Sequence, residues 1–410
     1  LLRDEAGMIA MERFLQMSDQ CRKELTAHIL PFWMNLSDPR GGFYGQVTRD
    51  LAVHKDAPKG TILHARILWS FSSAYLNTKE QAYLDAAAHA YDFLQMAWDL
   101  ERGGFYWSLT ADGKPFETDK YAYANAFCIY GLVLYYEASG CQEALELAEK
   151  AFSCIESHFA RKNGYIETFA ADWTALENDH LSEHDLHAAK TMNTTLHLIE
   201  AYAELFRVTR SAAVGDALRN LLDLTADTVY DPENEMLRVF FDENMEPIGD
   251  LHSFGHDIEA SWLIDHACDC LGDAALTARF REINYRLASH IYDAAFHDGA
   301  LYNERFEREV DKTRIWWVQA EAVIGFLNAA QTATILYHDA EAAKRYNDAA
   351  LTIWQYIRGK QIDRRDGGEW FAETDVNGQP QSDFDMAGPW KCPYHNSRMC
   401  MEIMRRLQIS

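Results

Sequence analysis

The chain has no CxxC pair, no HExxH order, and no apolar run approaching the roughly 18 residues that a membrane-spanning helix needs. Its eight cysteines are scattered over 410 residues, which excludes a disulfide scaffold and predicts reduced thiols in a cytoplasmic protein. The opening Leu1-Leu2-Arg3-Asp4-Glu5 lacks the apolar stretch of a secretion signal. Basic residues are outnumbered, 38 Lys and Arg against 63 Asp and Glu, for a formal charge of -25. No basic field is available to hold a polyanion, so nucleic acid is excluded as a partner, as is a membrane.

What is present is a repeat. A Gly/aromatic signal recurs as Gly41-Gly42-Phe43-Tyr44, Gly103-Gly104-Phe105-Tyr106, Gly164-Tyr165, a glycine-free Met236-Leu237-Arg238-Val239-Phe240-Phe241, Gly299-Ala300-Leu301-Tyr302 and Gly367-Gly368-Glu369-Trp370-Phe371. The spacing is roughly 60 to 70 residues, and the segments read as turns leading into short strands. Each precedes a stretch with apolar residues at helical spacing: 61–76, 123–138, 191–208, 256–271, 316–332 and 393–407. A tight turn, such as Asn77-Thr78 or Ser139-Gly140, then leads to a second, Ala-rich helical stretch: 80–100, 142–160, 211–229, 273–292 and 338–359. Residues 5–31 supply the sixth of these.

Six such pairs predict an all-α fold, an (α/α)6 barrel with short β-hairpin-like loops on the active-site face. Length alone would suggest two or three domains, but a closed barrel accounts for residues 1–410 as a single catalytic domain. An open helical solenoid would show the same repeat, so closure is an expectation. Alternation of inner and outer helices places the N-termini of all six inner helices, and the long connections 37–59 and 101–119, at one end. Long loops on a rigid face predict the functional site there.

The first turns of the inner helices carry polar residues where a barrel interior should be apolar. They are His64 and Arg66; Tyr123 and Asn125; Asn193 and His197; His256, Glu259 and Trp262; Trp316, Trp317, Gln319 and Glu321; and His395 and Asn396, with Trp390 just before. Any one has a bland reading as core or surface, and Trp262 and Trp316 read first as core. As a set they predict a lined pocket.

The chemistry such a pocket permits is proton movement on a sugar. Ring opening exposes an acidic C–H beside an aldehyde. A base near neutral pKa removes the C2 proton and an acid returns one to the opposite face, roles that suit histidine. His256 and His395 lie 139 positions apart, each at a helix start that disfavours the imidazolium. Arg66 and His197 could hold the enediolate charge. Trp317 and Trp390 offer stacking faces, and Glu259, Glu321 and Asn193 could meet hydroxyls. This chemistry needs no cofactor.

The stretches that carry these residues are Ile62-Leu63-His64-Ala65-Arg66-Ile67-Leu68-Trp69, Lys190-Thr191-Met192-Asn193, and Gly249 through Ala260. Two more are Lys312 through Glu321 and Gly388-Pro389-Trp390-Lys391-Cys392-Pro393-Tyr394-His395-Asn396. With them the chain closely resembles the cellobiose 2-epimerases of the N-acylglucosamine 2-epimerase superfamily, over nearly its whole length. The resemblance implies the same barrel and reversible C2 inversion at the reducing end of β-1,4-linked disaccharides, such as cellobiose to glucosyl-mannose and lactose to epilactose. It implies a monomer with a small-molecule disaccharide as its partner, no cofactor and no metal.

By the same resemblance, His256 and His395 transfer protons, Arg66 is essential and His197 belongs to the active site. Tyr123, Asn193, Glu259, Trp262, Trp317, Glu321 and Trp390 contact the sugar. Which histidine opens the ring stays open, with a two-histidine exchange in which His395 also opens it the favoured course. The rival readings are an N-acylglucosamine 2-epimerase or mannose isomerase acting on monosaccharides, a glycoside hydrolase using Glu259 and Glu321, a metal enzyme on His252, His256 and Glu259, and a sugar-binding protein without turnover.

Overall fold

The computed structural model describes residues 5–178, 181, 184, 186–381 and 384–407. In chain order the helices are α1 (Glu5–Glu24), α2 (Leu30–Met34), α3 (Thr61–Thr78), α4 (Gln81–Met96), α5 (Ala122–Ser139), α6 (Gln142–His158) and α7 (Met192–Thr209). They continue with α8 (Ala212–Leu224), α9 (Phe254–Leu271), α10 (Ala274–Ala295), α11 (Trp316–Ile335), α12 (Ala340–Tyr356) and α13 (Tyr394–Arg406). A π-helical turn, Leu25–Ile29, joins α1 to α2. No helix among the described residues is long and apolar enough to cross a membrane.

Helices α3, α5, α7, α9, α11 and α13 form the inner ring. Each packs on the next, and α13 packs back on α3, so the barrel is closed. The burial follows the sequence. In α5 every residue from Ala122 to Val133 is buried, whereas outer helix α8 buries one stripe (Val214, Ala217, Leu218, Leu221, Leu222) and leaves Asp216 and Asn220 in water. At two equivalent places the inner helices approach so closely that only glycine fits. A Cβ on Gly131 would lie 2.6 Å from the Ala65 carbonyl oxygen, and one on Gly325 2.7 Å from that of Ile258.

The tight turns are left-handed caps on the inner helices, at Lys79 (φ 62°), Gly140 (φ 76°), Arg210 (φ 52°) and Gly272 (φ 73°). The first lies one residue later than expected, because α3 runs through Thr78. The following outer helices start at once; the Asp273 carboxylate caps α10 and that of Asp339 caps α12.

The Gly/aromatic segments form minimal hairpins with the chain leaving each outer helix. The paired residues are Ser37 and Phe43, Trp98 and Phe105, Ala160 and Tyr165, Tyr230 and Leu237, Phe296 and Leu301, and Ile362 and Trp370. A second set of pairings links repeats, because the two residues entering five of the inner helices pair antiparallel with the loop of the next repeat. Lys59-Gly60 pairs with Ser108-Leu109, Lys120-Tyr121 with Thr168-Phe169, and Lys190-Thr191 with Phe240-Phe241. His252-Ser253 pairs with Glu304-Arg305, and Arg314-Ile315 with Glu373-Thr374. Ala387 pairs with Val47 and so joins the sixth repeat to the first. The loop face is thus tied into a ring of its own, above the ring of helices.

Candidate active site

Successive residues of an α-helix point about 100° apart, so side chains two positions apart face nearly opposite ways. The first turns of the inner helices divide on that basis into two rings. One faces outward and holds the hairpins. His64 Nε2 accepts the Phe43 amide (2.9 Å) while its Nδ1 donates to the Gly60 carbonyl (2.9 Å). Asn125 Oδ1 accepts the Phe105 amide (3.0 Å), Asp257 Oδ1 that of Leu237 (3.1 Å), and Gln319 Oε1 that of Leu301 (2.8 Å).

In the sixth repeat Asn396 acts through Glu369, whose carboxylate accepts the Trp370 amide (2.6 Å). In the third the direction reverses, and Glu167 of the loop accepts the Thr191 amide (2.7 Å) and the Thr194 hydroxyl (2.5 Å). A buried cation just ahead of each helix reinforces the latch: Lys59 on Asp38 (2.8 Å), Lys120 on Asp99 (2.7 Å), Lys190 on loop carbonyls, Arg314 on the Ala300 carbonyl (3.0 Å) and Lys391 on Glu369. His252 takes that place in the fourth repeat, against Asp257 (2.7 Å). The expectation that His64, Asn125, Gln319 and Asn396 belong to the pocket is therefore corrected: their side chains are spent outside it, the first three on hairpin backbone and Asn396 on the Glu369 carboxylate.

The second ring faces the barrel axis. Two residues past the latch in five repeats stand Arg66, Phe127, Glu259, Glu321 and Arg398; three past Thr194 stands His197. Arg398 is buried at the centre. Its Nη1 contacts Glu200 (2.5 Å), and its Nη2 contacts both Glu259 (2.5 Å) and Glu321 (2.7 Å). Burial would raise the Glu200 carboxyl, but Arg398 and the bonds from His197 and Tyr394 outweigh it and hold the group at about 2. Glu259 is raised to about 7 by burial and by Glu321, against the pull of Arg398. Burial likewise raises Glu321. Arg66 lies 4.1 Å over the Phe127 ring and donates through Nη2 to the Tyr123 hydroxyl (2.8 Å). Burial pushes Tyr123 up to about 12, so its own O–H proton is kept for a ligand.

Above this ring opens a cavity of about 370 Å³. Arg66, His197, His256 and His395 line it, as do Tyr123, Asn193, Glu259, Trp317 and Trp390. The two histidines face it with different partners. His256 Nδ1 meets the Ser253 hydroxyl (2.7 Å), and His395 Nδ1 meets Glu321 (2.8 Å). In each ring Nε2 is left to a ligand. Burial, helped by the charges of His197 and Arg66, takes His256 down to about 3, and burial with Arg398 takes His395 well below its ordinary value, so both rest neutral. The Trp317 ring is 4.9 Å from the His256 ring and 5.5 Å from that of His395. Glu259 Oε2 and Asn193 Oδ1 are buried without a partner among the described residues, a demand that sugar hydroxyls would meet.

Two expected sugar contacts lie behind the cavity wall instead. Glu321 supports His395, and Trp262 donates its indole N–H to Glu321 (3.0 Å) from below. Residues of the site that the sequence reading does not single out include Arg398, Glu200 and Ser253, and Asn303, Glu304 and Glu373 on the cavity wall. Arg398 had a signal, since it follows Asn396 at the offset by which Arg66 follows His64. Two rival readings lose their geometry. His252 bonds Asp257 and stacks on His290 (5.4 Å), so it does not join His256 around a metal. Glu259 and Glu321 share one guanidinium nitrogen and Glu321 is outside the cavity, so they do not flank a scissile bond as a hydrolase pair must.

The family model described as N-acylglucosamine 2-epimerase (GlcNAc 2-epimerase) matches residues 42–397. The cellobiose 2-epimerase of Ruminococcus albus is 47% identical over 392 residues, covering 95% of this chain and 99% of that protein. Among solved structures, a sugar epimerase from a ruminal bacterium aligns with a TM-score of 0.92 at 46% identity, over 96% of this chain and all of that one. The cellobiose 2-epimerase of Bacillus thermoamylovorans aligns with a TM-score of 0.90 at 41% identity, over 95% and 99%. A closed barrel, a cavity faced by two neutral histidines and a match along nearly the whole chain agree: the chain belongs to the N-acylglucosamine 2-epimerase family and is a carbohydrate epimerase.

Proposed function

We propose that the chain inverts C2 of the reducing-end sugar of β-1,4-linked disaccharides, cellobiose and lactose among them, acting as a monomer with residues 1–410 as one catalytic unit. The observation that carries this reading is the pair His256 and His395, facing one cavity with neutral rings and unlike partners.

The ring opens first, by movement of the anomeric hydroxyl proton to the ring oxygen. His395, its Nδ1–H held by Glu321, presents a lone pair at Nε2 and serves this step. One histidine then removes the C2 proton. The resulting enediolate sits against Arg66 and His197, and its charge stabilises the imidazolium just formed. The other histidine then returns a proton to the opposite face of C2, and the C1–C2 double bond of the enediolate becomes a single bond again.

Ser253 suits His256 to this exchange. A hydroxyl can donate to Nδ1, which leaves Nε2 protonated as an acid, or accept from it, which leaves Nε2 as a base. Trp390, 39% exposed at the mouth beside Trp107 (5.8 Å) and Tyr123 (5.9 Å), gives the second sugar a face to stack on. Incubation with cellobiose, with product analysis by chromatography, tests the reading. It expects glucosyl-mannose and no free glucose. Glucose release, or turnover confined to mannose or N-acetylglucosamine, contradicts it.

A further inference from the structure

Beneath the charged ring, toward the closed end of the barrel, three side chains that the reaction does not use converge. Glu204 lies one turn past Glu200 on α7; His266 lies one turn past Trp262 on α9, and Cys270 one turn further. Glu204 Oε1 is 2.6 Å and Cys270 Sγ 3.6 Å from the same atom, His266 Nε2, and all three ligand atoms lie within 4.8 Å of one another. A single ring nitrogen carries at most one proton, so it satisfies one such neighbour as a hydrogen bond, whereas a cation serves both.

We propose that Glu204, His266 and Cys270 form a binding site for a borderline divalent cation of the Zn²⁺ class, a clamp between α7 and α9 separate from the catalytic cavity. The donor set, one carboxylate, one imidazole and one thiol, is the mixture Zn²⁺ and Co²⁺ take. Zn–N near 2.05 Å and Zn–S near 2.3 Å at a tetrahedral angle give an N···S edge of about 3.6 Å, the separation found. The carboxylate-to-imidazole edge has to open from 2.6 Å to about 3.4 Å. His266 can supply that movement, because 47% of its side chain is exposed, which also lets water fill the fourth position.

The second Glu204 oxygen is held by Arg207 (Nε, 2.8 Å), and Glu137 neutralises that arginine (2.7 Å). Glu204 is thereby oriented with Oε1 toward the site, as carboxylate ligands usually are. Binding releases to solvent the thiol proton and the proton shared by His266 and Glu204, leaving thiolate and neutral imidazole as ligands. The clamp lies one turn below residues that hold Arg398 and Glu321, so it stiffens their helices and takes no part in proton transfer.

The test uses the whole protein after chelator dialysis, titrated with Zn²⁺ by calorimetry and with Co²⁺ by absorbance. The expected result is one ion per chain, a raised Tm, and a thiolate-to-cobalt charge-transfer band. Cys270→Ser should abolish the band, and Cys270→Ser and His266→Ala should each weaken Zn²⁺ binding at least tenfold with turnover retained. Cys141→Ser, at a half-buried cysteine outside the cluster, should change neither. Absence of saturable binding, variants that bind as the wild type does, or loss of the band in Cys141→Ser overturns the proposal.

Discussion

The outward and inward rings of the inner helices are built from the same residue types, often as immediate neighbours, yet their side chains do different work. Asn396 reaches a hairpin carboxylate while His395 beside it faces the cavity; Asp257 and His256 divide in the same way. Outward groups find backbone or ionic partners in the hairpins. The inward ring has three carboxylates on one guanidinium, two neutral histidines, and polar atoms with no protein partner. Satisfied polar groups hold a fold, and unsatisfied ones wait for a ligand.

Mutation should separate the two. His256→Ala or His395→Ala should cost about 10²–10⁴ in kcat, the usual worth of a general acid or base, with the circular dichroism spectrum unchanged. A variant with near wild-type rate would break the division. Lys120→Ala should do the reverse. It strands the buried Asp99 carboxylate, costing about 3–5 kcal/mol in denaturant titrations, while kcat per folded molecule stays within about twofold.

The two rings should also titrate differently. His64 is pushed down to about 3, burial being the main cause, against about 6.5 in an unfolded chain. The unfolded state therefore binds the extra proton between those values. The contribution is complete above pH 6.5 and is lost as pH falls toward 3, at up to about 1.4 kcal/mol per pH unit. His64→Gln, which places in α3 the residue that performs the latch in α11, should flatten that limb of the stability curve. In the inward ring Glu259 titrates at about 7, and its carboxylate is 4.0 Å from His395 Nδ1. Its ionised form supports the imidazolium, so kcat should rise severalfold as pH climbs through 7. Glu259→Gln should remove that limb; a limb that persists assigns the titration elsewhere.

The barrel could be read from the sequence because its repeat is long and its helix faces are strongly patterned. Closure could not, since Val47 meeting Ala387 and α13 meeting α3 are contacts between the chain's two ends. Nine of the eleven expected site residues line the cavity, carried there by motifs rather than by periodicity. Periodicity failed at the scale of one residue: His64 and Arg66 look alike as polar breaks in an apolar helix, and only the roughly 200° between them separates latch from site. Glu321 and Trp262 lie deeper than the motifs imply for a related reason, because depth along the barrel axis leaves no mark in sequence. The cations ahead of the inner helices, Lys59, Lys120, Lys190 and Arg314, form a further repeat that the sequence carries in plain view.

Deuterium exchange at C2 in the single-histidine variants tests the two-base account most directly. Wild-type protein in D2O should label C2 of both epimers as they interconvert. His256→Ala, which keeps the ring-opening His395, should stop interconversion yet still exchange C2 in one epimer only, while His395→Ala, which loses ring opening as well, should exchange neither, as followed by proton NMR from each pure epimer. Exchange of both epimers by either variant, or wild-type interconversion without deuterium at C2, would contradict proton transfer across two faces by this pair.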